Sequence, residues 1–136
     1  MNAFDSDVLI YATKSESPWR ARVLALFTTE PDELAGVGSL ILLPEVLSWP
    51  MRHSETNEGA ILAGLLSRLD LLPLDVPTAD LSVGLAATYG LKAADAVHLA
   101  TAVNAGADRF ITNNQRDFPK SISEIEIVYP KDLEAA

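Results

Sequence analysis

Apolar positions in this chain occur in short runs whose spacing alternates between that of strands and that of helices. Five short apolar runs have strand character: a run that ends before Asp5, then residues 34–37, 71–74, 108–112 and 125–128. Between them, apolar residues recur at three- and four-residue steps in residues 18–27, 40–49, 56–69, 77–89 and 93–105. Strands that alternate with helices predict an α/β fold, with a mainly parallel central sheet flanked by helices on both faces.

Capping and breaking residues predict where several helices begin and end. Ser17 is expected to cap a helix that starts at Pro18, and Thr56 to cap the helix that carries Ile61 to Leu69. Pro50 is expected to end the preceding helix, because proline lacks the backbone N–H of a helix interior. Gly90 is suited to a left-handed residue at a helix end.

Length and composition indicate one domain, residues 1–136, with a sizeable core, since 49% of the 136 residues are hydrophobic. The absence of Cys excludes disulfides and thiolate metal sites, which favours a cytoplasmic location. Neither a secretory signal nor an apolar run of membrane-spanning length is expected. The net charge of −9 argues against a broad basic surface for nucleic acid, but a metal-dependent nuclease remains possible because bound cations would meet the phosphate.

Acidic side chains are expected to meet at the carboxyl edge of the predicted sheet. Asp5 and Asp7 follow the first strand, and a polar loop that runs from Thr112 to Asp117 follows the fourth. Glu45 and Asp95 lie near the beginnings of two helices, which also fall at this edge. A convergence of three or four carboxylates predicts a site for Mg²⁺ or Mn²⁺ and hydrolysis of a phosphoester.

Each of these acids also has an ordinary structural interpretation. Asp5 and Asp7 can cap the turn or helix that follows them. Asp95 is favoured by the helix dipole in a first turn, Glu45 can be a solvated helix residue, and Asp117 can be a turn residue. The metal hypothesis therefore depends on their common location rather than on one position.

Other catalytic chemistries find less support in the sequence. There is no Cys and no paired His motif for zinc, and no glycine-rich phosphate-binding pattern. His98 lies on a mostly apolar helix, where a satisfied, partly buried imidazole is the usual outcome, and it is not assigned as a base. His53, beside Arg52, is interpreted as a surface or substrate-contact residue.

Four segments of the chain resemble those of PIN-domain proteins, and more narrowly of the VapC toxin ribonucleases of type II (VapBC) toxin-antitoxin modules. The segments are Phe4 to Ala12, Leu43 to Leu47, Leu91 to Ala102 and Ala107 to Phe118. The resemblance implies a three-layer α/β fold and a divalent-metal-dependent endoribonuclease that hydrolyses RNA phosphodiester bonds. It also implies that the Mg²⁺ or Mn²⁺ cofactor is held by an acidic site.

The resemblance maps this acidic site onto Asp5, Glu45 and Asp95. It offers Asp117 as a fourth metal ligand and catalytic acid, although some relatives carry this acid nearer the strand, where this chain has Asn114. Asp7 stands where many relatives have Asn, so it adds charge or supports the turn. The resemblance further gives Thr112 a role in orienting ligands.

The expected partners follow from the same resemblance. They are an RNA substrate, a cognate antitoxin protein and a second copy of the chain in a homodimer, with no membrane. Two alternatives stay open. Asp5-x-Asp7 resembles the nucleophile segment of haloacid-dehalogenase-like phosphatases, in which the first acid is phosphorylated. The chain can also be a non-catalytic binding module that has kept the fold and lost the ion.

Overall fold

The central sheet of the computed structural model, which describes residues 1–28 and 30–135, is parallel throughout. Its strands are β1 (Asn2–Phe4), β2 (Gly36–Ser39), β3 (Leu69–Leu72), β4 (Arg109–Ile111) and β5 (Glu126–Val128). They lie in the order β3-β2-β1-β4-β5, so β1 is central and the strand order reverses beside it. This confirms the predicted parallel sheet and locates its crevice between β1 and β4.

The helices of the described residues connect these strands. They are α1 (Ser6–Thr13), α2 (Arg20–Ala25), α3 (Leu42–Arg52), α4 (Thr56–Leu66), α5 (Val76–Tyr89) and α6 (Ala93–Asn104), followed by a 3₁₀ turn at Pro130–Asp132. Each is too short or too polar to cross a lipid bilayer, within residues 1–28 and 30–135. Gly90 ends α5 with a positive φ of 67°, as the sequence predicts.

Alternating side chains of the strands divide the core into two layers. Phe4 and Ile111 face α1 to α4 on one side of the sheet. Ala3 and Phe110 face α5 and α6 on the other side. Because side chains alternate along a strand, each short strand contributes to both layers. The predicted three-layer α/β fold is therefore confirmed.

Two strands lie at different positions from those predicted. The apolar pattern predicts strands at residues 34–37 and 71–74, but Leu34 and Leu74 are 56% and 47% exposed. Instead, β2 uses Gly36, where an added Cβ would lie 2.2 Å from the carbonyl oxygen of Asn2. This close approach of β1 and β2 favours glycine, so the apolar run itself was a poor guide to the strand.

Several predicted helix boundaries are wrong. Helix α3 continues through Pro50 to Arg52 because Pro50 is buried against the adjacent helix, and packing there compensates for one missing backbone hydrogen bond. Helix α2 begins at Arg20, after turns that start at Ser17, and no side chain caps it. Thr56 is the first residue of α4, while Glu55 occupies the capping position.

Candidate active site

Asp5 lies immediately after the central strand, at its carboxyl end. Its Oδ1 accepts a hydrogen bond of 2.8 Å from the backbone N–H of Ser6, and its Oδ2 accepts one of 2.7 Å from the hydroxyl of Thr112. Asp5 is the N-cap residue of α1 and is only 2% exposed. The capping interpretation of Asp5 is therefore correct, and its second oxygen lies at the crevice between β1 and β4.

The surroundings of Asp5 disfavour its charge. Burial raises the pKa of the Asp5 carboxyl, and the nearby charge of Asp95 raises it further. His98 and the hydrogen bonds from Thr112 and Ser6 lower the pKa, but burial dominates. A cation at this position would therefore stabilise the ionised form of Asp5.

Asp7 connects the beginning of α1 to the loop that follows β4. Its Oδ1 accepts a hydrogen bond of 3.0 Å from the backbone N–H of Asn113 and a longer one of 3.4 Å from the hydroxyl of Thr112. Burial raises the pKa of Asp7 to about 7, and the neighbouring Asp5 carboxylate contributes to the rise. Asp7 thus fixes the loop that follows β4, and its carboxylate also adds negative charge to the site.

Glu45 reaches the same edge from the first turn of α3. Its carboxylate is hydrogen-bonded to Nε2 of His98, a residue of α6 that is 2% exposed. Nδ1 of the same ring is buried and has no hydrogen-bond partner among the residues that the structure describes. His98 therefore uses one ring nitrogen to orient Glu45, while the other nitrogen is buried without a hydrogen bond among the described residues.

Asp95 lies in the first turn of α6, where it is half-buried between the other acids. Burial raises its pKa, and so do the charges of Asp117, Glu45 and Asp7, while His98 lowers it. Acids from three other segments therefore influence the charge of Asp95. That these carboxylates form one metal site stays a prediction.

The fourth predicted acid, Asp117, is fixed by Asn114. Asn114 donates a hydrogen bond of 3.0 Å from Nδ2 to the carboxylate of Asp117, and its Oδ1 accepts one of 3.1 Å from the backbone N–H of Asp117. The backbone N–H of Asn114 in turn donates to the hydroxyl of Thr112 at 3.0 Å. Asn114 stands where some relatives carry the fourth acid. Here it links Asp117 to Thr112, which in turn is hydrogen-bonded to Asp5.

The donors at this edge fit an oxygen-preferring cation by their chemistry. The candidate ligands are all carboxylates, the donor type that Mg²⁺ and Mn²⁺ prefer, and the pKa values of Asp5, Asp7 and Asp95 are raised. Among residues 1–28 and 30–135, however, no three acidic or imidazole side chains are arranged to hold one ion as they stand. Glu45 is hydrogen-bonded to His98, and Asp117 is hydrogen-bonded to Asn114.

His98 contacts Glu45 in this site, although the sequence predicts only a satisfied, partly buried imidazole for it. Its position three residues after Asp95 puts both side chains on one face of α6, which is the signal that could have identified it. The other histidine, His53, is exposed as predicted and stacks on Trp49 with 4.3 Å between ring centroids.

Comparisons with solved structures find the same fold in toxin-antitoxin proteins. A toxin-antitoxin complex from Klebsiella pneumoniae contains a chain 28% identical to this one, with a TM-score of 0.73 over 98% of this chain and 100% of that chain. DNA-bound VapBC from Salmonella typhimurium gives 21% identity and a TM-score of 0.71, over 95% and 97% of the two chains. FitAcB from Neisseria gonorrhoeae has 20% sequence identity and a TM-score of 0.72, over 98% of this chain and 100% of that chain.

Family assignment comes from the sequence itself. A search of curated proteins finds no match. The model of the PIN domain family, in contrast, matches residues 3–121, which include all the acids described above. The match covers most of the chain and agrees with the parallel sheet and its acidic edge. The chain therefore belongs to the PIN domain family.

Proposed function

We propose that this chain is a divalent-metal-dependent endoribonuclease that acts as the toxin of a toxin-antitoxin pair. The observation that carries the proposal is the group of acids around Asp95, whose pKa is raised by burial and by the charges of Asp117, Glu45 and Asp7. Acids that repel one another in a half-buried crevice are suited to binding a hard cation. The same crevice lies where ligands bind in open parallel sheets.

Similarity to the Klebsiella pneumoniae complex supports the toxin assignment and a cognate antitoxin as partner. Acting on RNA within the cytoplasm fits a chain without Cys. A homodimer is the oligomeric form we propose. Each of these points can be tested separately from the chemistry of the site.

Asp5, Glu45, Asp95 and Asp117 would hold the ion, which we propose to be Mg²⁺ or Mn²⁺. When bound, the ion would lower the pKa of an attacking water and offset the negative charge of the phosphate. This second contribution matters because the chain has a formal net charge of −9 and would otherwise repel RNA.

The residues around the acids would keep them in position. The Thr112 hydroxyl and the Ser6 N–H occupy one lone pair on each oxygen of Asp5 and so fix the plane of its carboxylate. The hydrogen bond with His98 would hold the carboxylate of Glu45 at the crevice, and the hydrogen bond from Asn114 would hold that of Asp117 there. Such supporting hydrogen bonds orient metal ligands and commonly affect metal affinity.

An RNA cleavage assay tests the proposal. Wild-type protein and Asp5→Asn are incubated with a single-stranded RNA in Mn²⁺, in Mg²⁺ and in EDTA. We expect cleavage by the wild type with either metal and none in EDTA, and a loss of about a hundredfold or more in Asp5→Asn. Asn keeps the shape and one acceptor oxygen, so the variant should fold. Asp80→Asn, an exposed acid of α5, is the matched control and should cleave normally.

Other results would favour the remaining alternatives. Full RNA cleavage by Asp5→Asn would show that the site is wrongly assigned. Phosphatase activity with a covalent phosphate on Asp5 would indicate the haloacid-dehalogenase-like mechanism. No Mn²⁺ binding by calorimetry at millimolar metal, together with no cleavage, would indicate a non-catalytic module.

A further inference from the structure

An exposed tryptophan lies beside the candidate active site on the same helix as Glu45. Trp49 follows Glu45 by four residues in α3, so the two side chains are neighbours on one face. Trp49 is 52% exposed, and its ring stacks on that of His53 at an interplanar angle of 24°. A large aromatic side chain is thus held in a defined orientation and remains accessible.

Trp49 and Glu45 line the same small cavity. Its volume is about 150 Å³, and Lys14 and Glu58 also contribute to its wall. Nζ of Lys14 lies 3.2 Å from Oε1 of Glu58, and the Lys14 side chain is 42% exposed. Because Glu45 belongs to both the cavity and the acidic edge, a group bound here would be adjacent to a phosphate at the active site.

A second, larger cavity lies nearby. It has a volume of about 440 Å³, lies between α3 and α4, and is lined by apolar residues such as Leu47 and Met51 together with the polar residues Ser54, Glu55 and Thr56. An apolar protein segment would find more surface there. The smaller cavity combines an aromatic ring, a cation and two carboxylates with the apolar side chains of Ile10, Val46 and Pro50, which suits a flat group with polar edges.

We infer that Trp49 stacks on a nucleobase of single-stranded RNA next to the phosphate that is cleaved. This inference rests on the proposed ribonuclease function and names the part of the RNA that the site binds. Every base has an aromatic face that can stack on tryptophan, and its N–H groups can donate to a carboxylate such as Glu58. The ammonium of Lys14, which is paired with Glu58, offsets part of the negative charge of the carboxylates next to the adjoining phosphate.

Single-stranded RNA is the form that this geometry suits. Bases in a duplex are stacked on each other, whereas unpaired bases can turn out and stack on aromatic side chains. Stacking of this kind depends weakly on the identity of the base. Trp49 would therefore contribute affinity and position the strand.

Fluorescence of Trp49 offers a direct test, because the chain contains only two tryptophans. The double variant Asp5→Asn, Trp19→Phe keeps Trp49 as its one indole and should not cleave RNA. It is titrated in Mg²⁺ with a mixed-sequence oligoribonucleotide and with an abasic oligomer of equal length. We expect saturable quenching by the first and at least tenfold weaker binding, without quenching, by the second.

Kinetics of the otherwise wild-type enzyme give a second test. Trp49→Ala should raise KM for single-stranded RNA about tenfold and change kcat less than twofold, and Trp49→Phe should recover most of the loss. Trp19→Ala, an exposed tryptophan outside α3, is the matched control and should leave both constants unchanged. Wild-type KM in Trp49→Ala would overturn the inference while leaving the ribonuclease proposal intact.

Two further outcomes separate the inference from the proposed function. Absence of cleavage by the wild type would contradict the ribonuclease proposal. The fluorescence titration would still show whether Trp49 stacks on a base. Equal quenching by intact and abasic oligomers would overturn base stacking. A change of Trp49 fluorescence on dilution of the protein alone, with none on addition of RNA, would assign the cavity to contact between copies and also overturn it.

Discussion

The hydroxyl of Thr112 donates a 2.7 Å hydrogen bond to the carboxylate of Asp5, although the two residues are 107 positions apart in the sequence. Thr112 is fully buried, and Asp5 is 2% exposed. The same hydroxyl oxygen accepts from the backbone N–H of Asn114. This one side chain therefore joins the end of β1 to the loop that carries Asp117.

Thr112→Val should destabilise the protein by about 1–3 kcal/mol at neutral pH, because a buried carboxyl oxygen loses its donor while the shape of the side chain is kept. The loop that carries Asp117 should loosen as well. Urea unfolding of the wild type, Thr112→Val, Asp5→Asn and the double variant forms a double-mutant cycle. It measures the loss in free energy of unfolding and the coupling energy between the two substitutions.

Thr101→Val is the matched control for this cycle. Thr101 is 3% exposed, but its hydroxyl donates to the carbonyl of Val97 within its own helix. It should show no coupling to Asp5→Asn. Equal coupling energies for the two threonines would mean that the Thr112 bond has no specific role at the site.

Asp7→Asn should stabilise the metal-free protein at neutral and alkaline pH. The folded-state pKa of about 7 lies above the ordinary value of 3.8, so the folded protein holds this proton more tightly. The resulting stabilisation is fully present below pH 3.8 and is lost as the pH rises through about 7. Asn has no charge to bury and keeps the oxygen that accepts from Asn113. Thermal unfolding in EDTA at several pH values should show that the melting temperature of Asp7→Asn exceeds that of the wild type by the largest amount above pH 7.

Asp75→Asn provides a contrasting control for this pH profile. Hydrogen bonds from Thr78 lower the pKa of Asp75, so its contribution is present at neutral pH and is lost as the pH falls through its folded pKa. Asn caps helices well, so no gain at alkaline pH is expected. If Asp75→Asn and Asp7→Asn had the same pH profile, burial of Asp7 would not be the cause.

Mn²⁺ should raise the melting temperature of the wild type, and EDTA should reverse the rise. A ligand that binds only the folded state at a hundred times its Kd adds about 2.7 kcal/mol of stability. Relief of the repulsion among Asp5, Asp95 and Asp117 is the physical source of this gain. Asp5→Asn should lose most of the shift, whereas Asp80→Asn should retain it. An unchanged shift in Asp5→Asn would place the ion elsewhere.

The layers of the fold could be predicted because they depend on local patterns. Apolar spacing distinguishes helices from strands, and Gly90 has one suitable role at a helix end. The errors occurred where tertiary contacts decide the outcome. Pro50 remains helical because it is buried, and Gly36 enters a strand because β1 approaches it closely. Neither contact is visible in the spacing of apolar residues.

The places of the candidate acids in the fold could be predicted, because they depend on where strands end and helices begin. Asp5 follows the central strand, and Asp95 begins a helix at the same edge. The hydrogen bonds that hold these acids could not be predicted, since they join residues far apart in sequence. Glu45 and His98 are separated by 53 positions, and only the tertiary fold brings α3 and α6 close enough for them to meet.

His98 should act as a positioning residue for Glu45. His98→Phe removes the ring nitrogen that contacts Glu45, whereas His98→Gln keeps a polar group that can reach the carboxylate. We expect His98→Phe to weaken Mn²⁺ binding and lower kcat by about 10-fold to 100-fold, and His98→Gln to recover part of both losses. A purely structural role would change melting temperature in both variants without separating their metal affinities. Calorimetric Mn²⁺ titration therefore decides, and equal affinities in the two variants would contradict positioning by His98.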